Sequence, residues 1–210
     1  MAFTNEYKGV EAHGNTKLHV IHTNDKKQMA IFLAQYECHL SLQRHKIVDI
    51  DLKYNNEPEA TQKPALCQLS VSKTQPVLLF QLSTAERCTV FDNFLADPRY
   101  TFAGFSIDRD KTRLERVNLE VANFVDIQKE WRVPEETKEL DSLGDVSGML
   151  IDDYYNNMKK NIIDDEHRRW STLPLSMRHI EYAAKDAYAS YEIWNRITLT
   201  QDGLCCVKLE

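Results

Sequence analysis

The sequence contains no apolar run approaching the ~20 residues that a membrane-spanning helix requires. Its N-terminal stretch, MAFTNEYKGVEAHGN, lacks the apolar core of a secretion signal. An intracellular protein with no membrane partner is therefore expected, in the cytoplasm, the nucleus or both. Glycine and proline are scarce, six of each in 210 residues, which excludes collagen-like and proline-rich low-complexity architectures; there is no internal repeat. The five cysteines (Cys38, Cys67, Cys88, Cys205, Cys206) are odd in number and show no C-x-x-C spacing. No disulfide framework or zinc site is expected of them, and the first three, set in apolar runs, read as small hydrophobes. The histidines (His13, His19, His22, His39, His45, His167, His179) show no H-x-x-x-H pattern and are assigned no metal. A basic excess is also missing: 26 Lys and Arg face 32 Asp and Glu, for a net charge of -6. A chain that grips nucleic acid by phosphate neutralisation alone carries the opposite balance. Any role on nucleic acid must then rest on a local site, a metal or a partner.

What is present suits one packed domain, with 42% hydrophobic and 28% charged residues. Residues 1–16 are polar and read as a loosely held lead-in, 17–200 as the domain and 201–210 as a tail. Leu18 to Thr23 alternates as a short strand, and Thr23 or Asn24 is placed to cap a helix in which Met29, Phe32, Leu33, Tyr36 and Leu40 recur at helical spacing. From Lys46 to Tyr54 the alternation is strict. Val48, Ile50, Leu52 and Tyr54 point one way, and Asp49, Asp51 and Lys53 the other. With Ala65–Val71 and Pro76–Phe80 this predicts an antiparallel meander. Helix is expected at 84–96, strand at 100–106, helix at 108–116, strand at 123–127, helix at 143–157 and a long helix from Ser176. Strands first and then strand–helix alternation predict an α/β domain built on a mixed β-sheet flanked by helices.

The last helix is the most informative segment. Ser176 is a plausible N-cap, with Leu175 and Ile180 placed as a hydrophobic staple. Ile180, Ala184, Ala187, Tyr191 and Trp194 form the expected core stripe, and Glu181, Lys185 and Glu192 the solvent side. Tyr182 and Asp186 lie one turn apart between the two, where a phenol and a carboxylate can bind a metal and hold a water against it. Taken singly, each acidic residue also has an ordinary structural use: Asp51 as a paired strand residue, Asp110 as a solvated acid at a helix start. Asp152, Asp153, Asp164 and Asp165 read as solvated helix ends. Lys159, Lys160, His167, Arg168 and Arg169 read as a solvated basic stretch that could touch phosphates.

The run from Tyr182 to Tyr188, Tyr-Ala-Ala-Lys-Asp-Ala-Tyr, resembles the third motif of the DEDDy 3′–5′ exonucleases. The Werner-syndrome-type exonuclease domain and its stand-alone plant relatives are the nearer likeness, RNase D the more distant. The resemblance covers roughly residues 45–197. Ile47 to Tyr54 is similar to the first motif, hydrophobic-Asp-x-Glu-Trp, and Thr101 to Leu114 to the second, in which a glycine-containing strand runs into a helix carrying an Asp. Asn123 to Asp126 and Arg168 to Trp170 are further landmarks. The resemblance implies an RNase H-like fold and 3′–5′ exonuclease action on single-stranded RNA or DNA ends by two-metal hydrolysis with Mg²⁺ or Mn²⁺. It implies Asp51 bridging both ions, Asp110 supporting the second, Asp186 completing the first, and Tyr182 orienting the attacking water.

One position departs from the pattern: Lys53 stands where the first motif has its Glu. An ammonium donates and cannot ligate a cation. In an alternative register Asp49 and Asp51 would be the first acidic pair. A rival function follows, a catalytically impaired pseudo-exonuclease serving as a nucleic-acid-binding or assembly module, in which Lys53 forms a salt bridge with Asp51 or Asp186 and replaces the metal. With no appended binding module in view, substrate capture is expected to need homo-oligomerisation or a partner. The plant relatives imply a closed ring and association with RNA-silencing complexes.

Overall fold

The structure, a computed structural model, describes residues 1–131, 141–156 and 169–203. Strands β1 (Thr4–Glu11), β2 (Lys17–Thr23), β3 (Ile47–Tyr54), β4 (Pro64–Ser70), β5 (Val77–Phe80), β6 (Thr101–Gly104) and β7 (Phe124–Asp126) form one sheet in the order β1-β2-β5-β4-β3-β6-β7. β3, β4 and β5 are the antiparallel meander, while β2–β5, β3–β6 and β6–β7 pair in parallel. Helices α1 (Lys26–Ser41), α2 (Thr89–Leu95) and α3 (Asp108–Glu115) cover one face. The other carries α4 (Ile127–Glu130), α5 (Leu143–Leu150) and the 25-residue α6 (Met177–Gln201). No described helix is long and apolar enough to cross a membrane.

The pleat of β3 sorts its side chains as its alternation predicts. Val48, Ile50 and Leu52 enter the core beneath α1 and α2 with Leu33, Tyr36, Leu69 and Phe102. The opposite face of the sheet packs Leu66, Val77 and Leu79 against Ile180, Ala183, Ala184 and Ala187 of α6. Small alanines let the helix approach the sheet closely. Ser176 caps α6 by accepting from the His179 backbone N–H, the kind of contact that contributes about 1 kcal/mol.

Several expectations are corrected. Residues 1–16 are no loose lead-in: β1 pairs antiparallel with β2, and Val10 and Ala12 enter the core. Gly9, at φ +78°, supplies the bulge where the register shifts between Lys8 and Val10. The cap of α1 is Asp25, which accepts from the Lys27 N–H; Asn24 instead accepts from the Phe3 N–H and ties down β1. α2 starts only at Thr89, because Thr84 and Ala85 turn back onto the Gln81 carbonyl. α5 ends at Leu150, and residue 157, where its expected span ends, lies outside the described residues. Beyond Ala187 the buried line of α6 passes through Ser190 and Ile193, leaving Tyr191 and Trp194 half-buried. The helix there meets Ala103, Ile127 and Val146 in place of the central strands. Cys67 and Cys88 are buried, but Cys38 is exposed on α1. Asp164, Asp165, Lys159, Lys160, His167, Arg168, Cys205 and Cys206 lie outside the described residues.

Candidate active site

β3 and α6 build the site between them. Two-residue alternation brings Asp51 and Lys53 to the face under α6, and one helical turn brings Tyr182 and Asp186 to the same place. Lys53 Nζ lies 2.5 Å from Asp51 Oδ2 and 2.7 Å from Asp186 Oδ2. These side chains are largely enclosed, 13% exposed for Lys53 and 6% for Asp186. On the neighbouring strand Gln68 faces Asp51 in register and donates to its Oδ2 over 2.8 Å. The Tyr182 phenol hydrogen-bonds Asp186, and its ring lies 5.1 Å from Lys53 Nζ, with the Trp170 ring at 5.9 Å.

The electrostatics follow. Burial alone would lower the Lys53 pKa, but the Asp186 and Asp51 carboxylates outweigh it and hold the ammonium well above its ordinary range. Burial pushes Asp186 upward, and Lys53 opposes that push. Burial also raises the Tyr182 phenol, which therefore stays protonated at neutral pH and acts as a donor.

Asp110, the remaining expected residue, stands on α3 close enough to feel the charges of Asp51 and Lys53. Its carboxyl is nevertheless turned toward other partners. The Tyr54 hydroxyl donates to it, Arg113 Nη1 lies 4.0 Å away, and the Arg113 guanidinium stacks 4.2 Å over the Tyr54 ring. Burial first, then the negative charge of Asp51, pushes Asp110 up to about 8. Asp49 does not join the cleft. It is fully buried, neither oxygen has a hydrogen-bond partner, and Ser190 of α6 approaches it too loosely to count as one. Burial drives it well above the carboxylate range, which favours its uncharged form under the helix. The alternative register, with Asp49 and Asp51 as a working pair, is not the arrangement found.

The cleft has a volume of about 400 Å³ and is lined by Asp51, Lys53, Tyr182 and Asp186, with Phe105 and Ser106 beyond the end of β6. A larger cavity of about 560 Å³ lies against Phe80 and Phe91 on the other face, and none of the four expected residues lines it. Size alone would mislead here. Sequence reasoning missed Gln68 and Arg113 and gave Tyr54 and Trp170 no contact at the site. Gln68 left a signal, a lone amide inside the apolar run of β4.

The donor set does not fit a pair of divalent ions. Hard cations such as Mg²⁺ and Mn²⁺ need free carboxylate oxygens. Here the facing oxygens are already engaged, Asp51 Oδ2 by Lys53 and Gln68 and Asp186 Oδ2 by Lys53, so that an ammonium occupies the place between them, while Asp110 turns Oδ1 to Tyr54 and Arg113. Among the described residues no three His, Cys, Asp or Glu side chains are grouped to hold a metal.

Known structures share the fold. The chain is similar to the Aedes aegypti Nibbler EXO domain (TM-score 0.59, 16% identity, 82% of this chain and 86% of that one). It is also similar to Escherichia coli RNase D (0.61, 15%, 82% and 43%) and to a Trypanosoma brucei RNase D–GMP complex (0.66, 16%, 90% and 57%). It thus spans less than two thirds of either RNase D. No curated protein matches it. The sequence profile of the 3′–5′ exonuclease domain matches residues 36–201, which contain every element from β3 to α6 and all the residues of the cleft. The chain belongs to the 3′–5′ exonuclease domain family.

Proposed function

We propose that this chain works on the 3′ ends of single-stranded RNA or DNA, as a 3′–5′ exonuclease whose trimming is weakened by Lys53. The observation that carries the reading is the meeting of Asp51, Asp186 and Tyr182 in one cleft, from a strand and a helix far apart in sequence. A cleft of about 400 Å³ suits a nucleotide-sized end and is too small for a duplex. Two similar structures, the T. brucei RNase D–GMP complex and Brucella melitensis NrnC bound to pGG, hold ligands of that size, which supports the same class of ligand here. Toward such an end the chain's own residues offer a protonated phenol at Tyr182, a donor beside Asp186, and an apolar wall at Phe105.

A second reading is favoured by one specific observation, the double ion pair of Lys53. In it the chain is a pseudo-exonuclease that binds the end without cutting. One assay separates the two: a 5′-labelled single-stranded oligonucleotide, free or blocked at its 3′ end, incubated with Mg²⁺ or Mn²⁺. Slow shortening of the free-ended strand alone supports the exonuclease, and binding without shortening supports the rival. Neither binding nor shortening would sink both. With a net charge of -6, phosphate grip needs a source other than bulk charge, and self-association is the source we propose; a single-chain mass by light scattering at high concentration counts against it.

A further inference from the structure

We infer that Lys53 is a tethered counter-ion that takes the electrostatic place of a divalent cation between Asp51 and Asp186, so that the chain itself closes this seat to metal. The inference deepens the second of those readings, an end bound without cutting, and rests on it for the identity of the cleft. Its physical content is separate: the ion pairs, the enclosure and the wall behind them.

An exposed lysine could swing out and leave the carboxylates to an ion. This one cannot do so freely. Its side chain is 13% exposed, and two of its three ammonium donors are spent on Asp51 Oδ2 and Asp186 Oδ2. The aromatic faces of Tyr182 and Trp170 lie 5.1 and 5.9 Å from Nζ, within cation–π range. That wall is itself fixed. The Trp170 carbonyl accepts from Gln81 Nε2 over 2.8 Å, and Gln81 Oε1 is held 2.9 Å from His22 Nε2. Asp51 is fixed from the other side by Gln68.

An entering ion would have to displace Nζ from both oxygens at once. The strand limits how far the displaced lysine could withdraw, so its positive charge would stay close to the ion and oppose it. The chain supplies one positive charge where a divalent ion would supply two. That leaves one negative charge between Asp51, Asp186 and Lys53, which sits beside two hydrogen-bond donors, Gln68 and Tyr182.

Thermal melting of the full chain in EDTA and in excess Mn²⁺ tests this, with wild type, Lys53→Glu, Lys53→Gln and Lys53→Glu/Asp186→Asn. Wild type is expected to melt at the same temperature in both, within about 1 °C, because a ligand that does not bind the folded state cannot stabilise it. Lys53→Glu should melt lower in EDTA and gain roughly 5 °C or more with Mn²⁺ well above its Kd, a gain that the added Asp186→Asn removes. If Lys53→Glu does not fold, Lys53→Gln stands in, since it loses the charge and keeps a polar side chain. Mn²⁺ titration of wild type followed by electron paramagnetic resonance should show no tight site. The inference is overturned if Mn²⁺ raises the wild-type melting temperature in a manner lost in Asp186→Asn. It is also overturned if every folded Lys53 variant ignores Mn²⁺. Oligonucleotide binding by wild type in EDTA is scored separately: its loss would defeat the functional reading and leave the counter-ion in place.

Discussion

Lys53 Nζ stands 2.7 Å from Asp186 Oδ2 although 133 positions separate the two residues. Its other carboxylate partner, Asp51, is two positions back on the same strand. One ammonium therefore joins strand β3 to helix α6. The relationship bears on stability and on chemistry with opposite signs.

For chemistry, Lys53→Glu should increase Mn²⁺-dependent shortening of a single-stranded 3′ end by about tenfold or more, since it exchanges a repelling cation for a hard oxygen ligand. Adding Asp186→Asn should abolish the gain. Brisk trimming by wild type that Lys53→Glu slows would show that Lys53 takes part in the reaction.

For stability, Lys53→Met should cost about 3 kcal/mol or more by urea denaturation, because it leaves Asp51 and Asp186 facing each other without their cation. The double variant Lys53→Met/Asp186→Leu should recover much of that loss, since replacing an enclosed ion pair with apolar groups is often near neutral. A cost below about 0.5 kcal/mol for Lys53→Met would place the pair among surface ion pairs of little worth.

Gly104→Ala should destabilise the chain by about 1–3 kcal/mol. A Cβ there would meet the Ile50 carbonyl oxygen at 2.5 Å and Ile107 Cγ2 at 2.6 Å. A strand carbonyl cannot rotate away, so β6 must move from β3, carrying Phe105 and Ser106 out of the cleft. Stability like that of wild type, with chemical shifts in the cleft unchanged, would contradict this.

Acid should weaken the fold through His22. Burial depresses its pKa below the ordinary 6.5, with the Gln81 hydrogen bond a smaller opposing effect. A depressed folded value means that the neutral ring is favoured by folding. Its contribution is complete above about pH 6.5 and is lost as pH falls from there toward the folded value, where the unfolded chain takes up the proton first. His39 moves in the same direction, also through burial. Melting measured between pH 7.5 and 5 should fall less steeply for His22→Gln than for wild type; equal slopes would exclude His22 as a contributor.

The strand β3 was legible because its period of two is strict over eight residues, and the start of α6 because Ser176, Leu175 and Ile180 form a complete stop-and-start signal. β1 was not legible. Most of TNEYKGVE is solvent-facing at the sheet edge and broken by the Gly9 bulge, so neither hydrophobic alternation nor length marks it. At the cleft, the motif likenesses pointed to Asp51, Tyr182 and Asp186, and the break in the first motif pointed to Lys53; these four side chains do meet there. Which carboxylate Lys53 would choose was hidden, since reach across 133 positions is a property of packing; it takes both. The engagement of Asp110 by Tyr54 and Arg113 was hidden for the same reason.

α6 has a further consequence, for the order in which the molecule can assemble. Leu66, Val77 and Leu79 are shielded by a helix that begins about a hundred positions after Val77. On a chain emerging from the ribosome the meander can pair early through its short connections. One side of it stays bare until α6 arrives, and over that interval Lys53 has only Asp51 for company. Contacts of such long range close slowly, and an uncovered apolar sheet face is the hazard of partly folded chains. Docking of α6 therefore completes the core and brings the second carboxylate to Lys53 in one event, so a chain that has not finished folding also lacks a finished cleft.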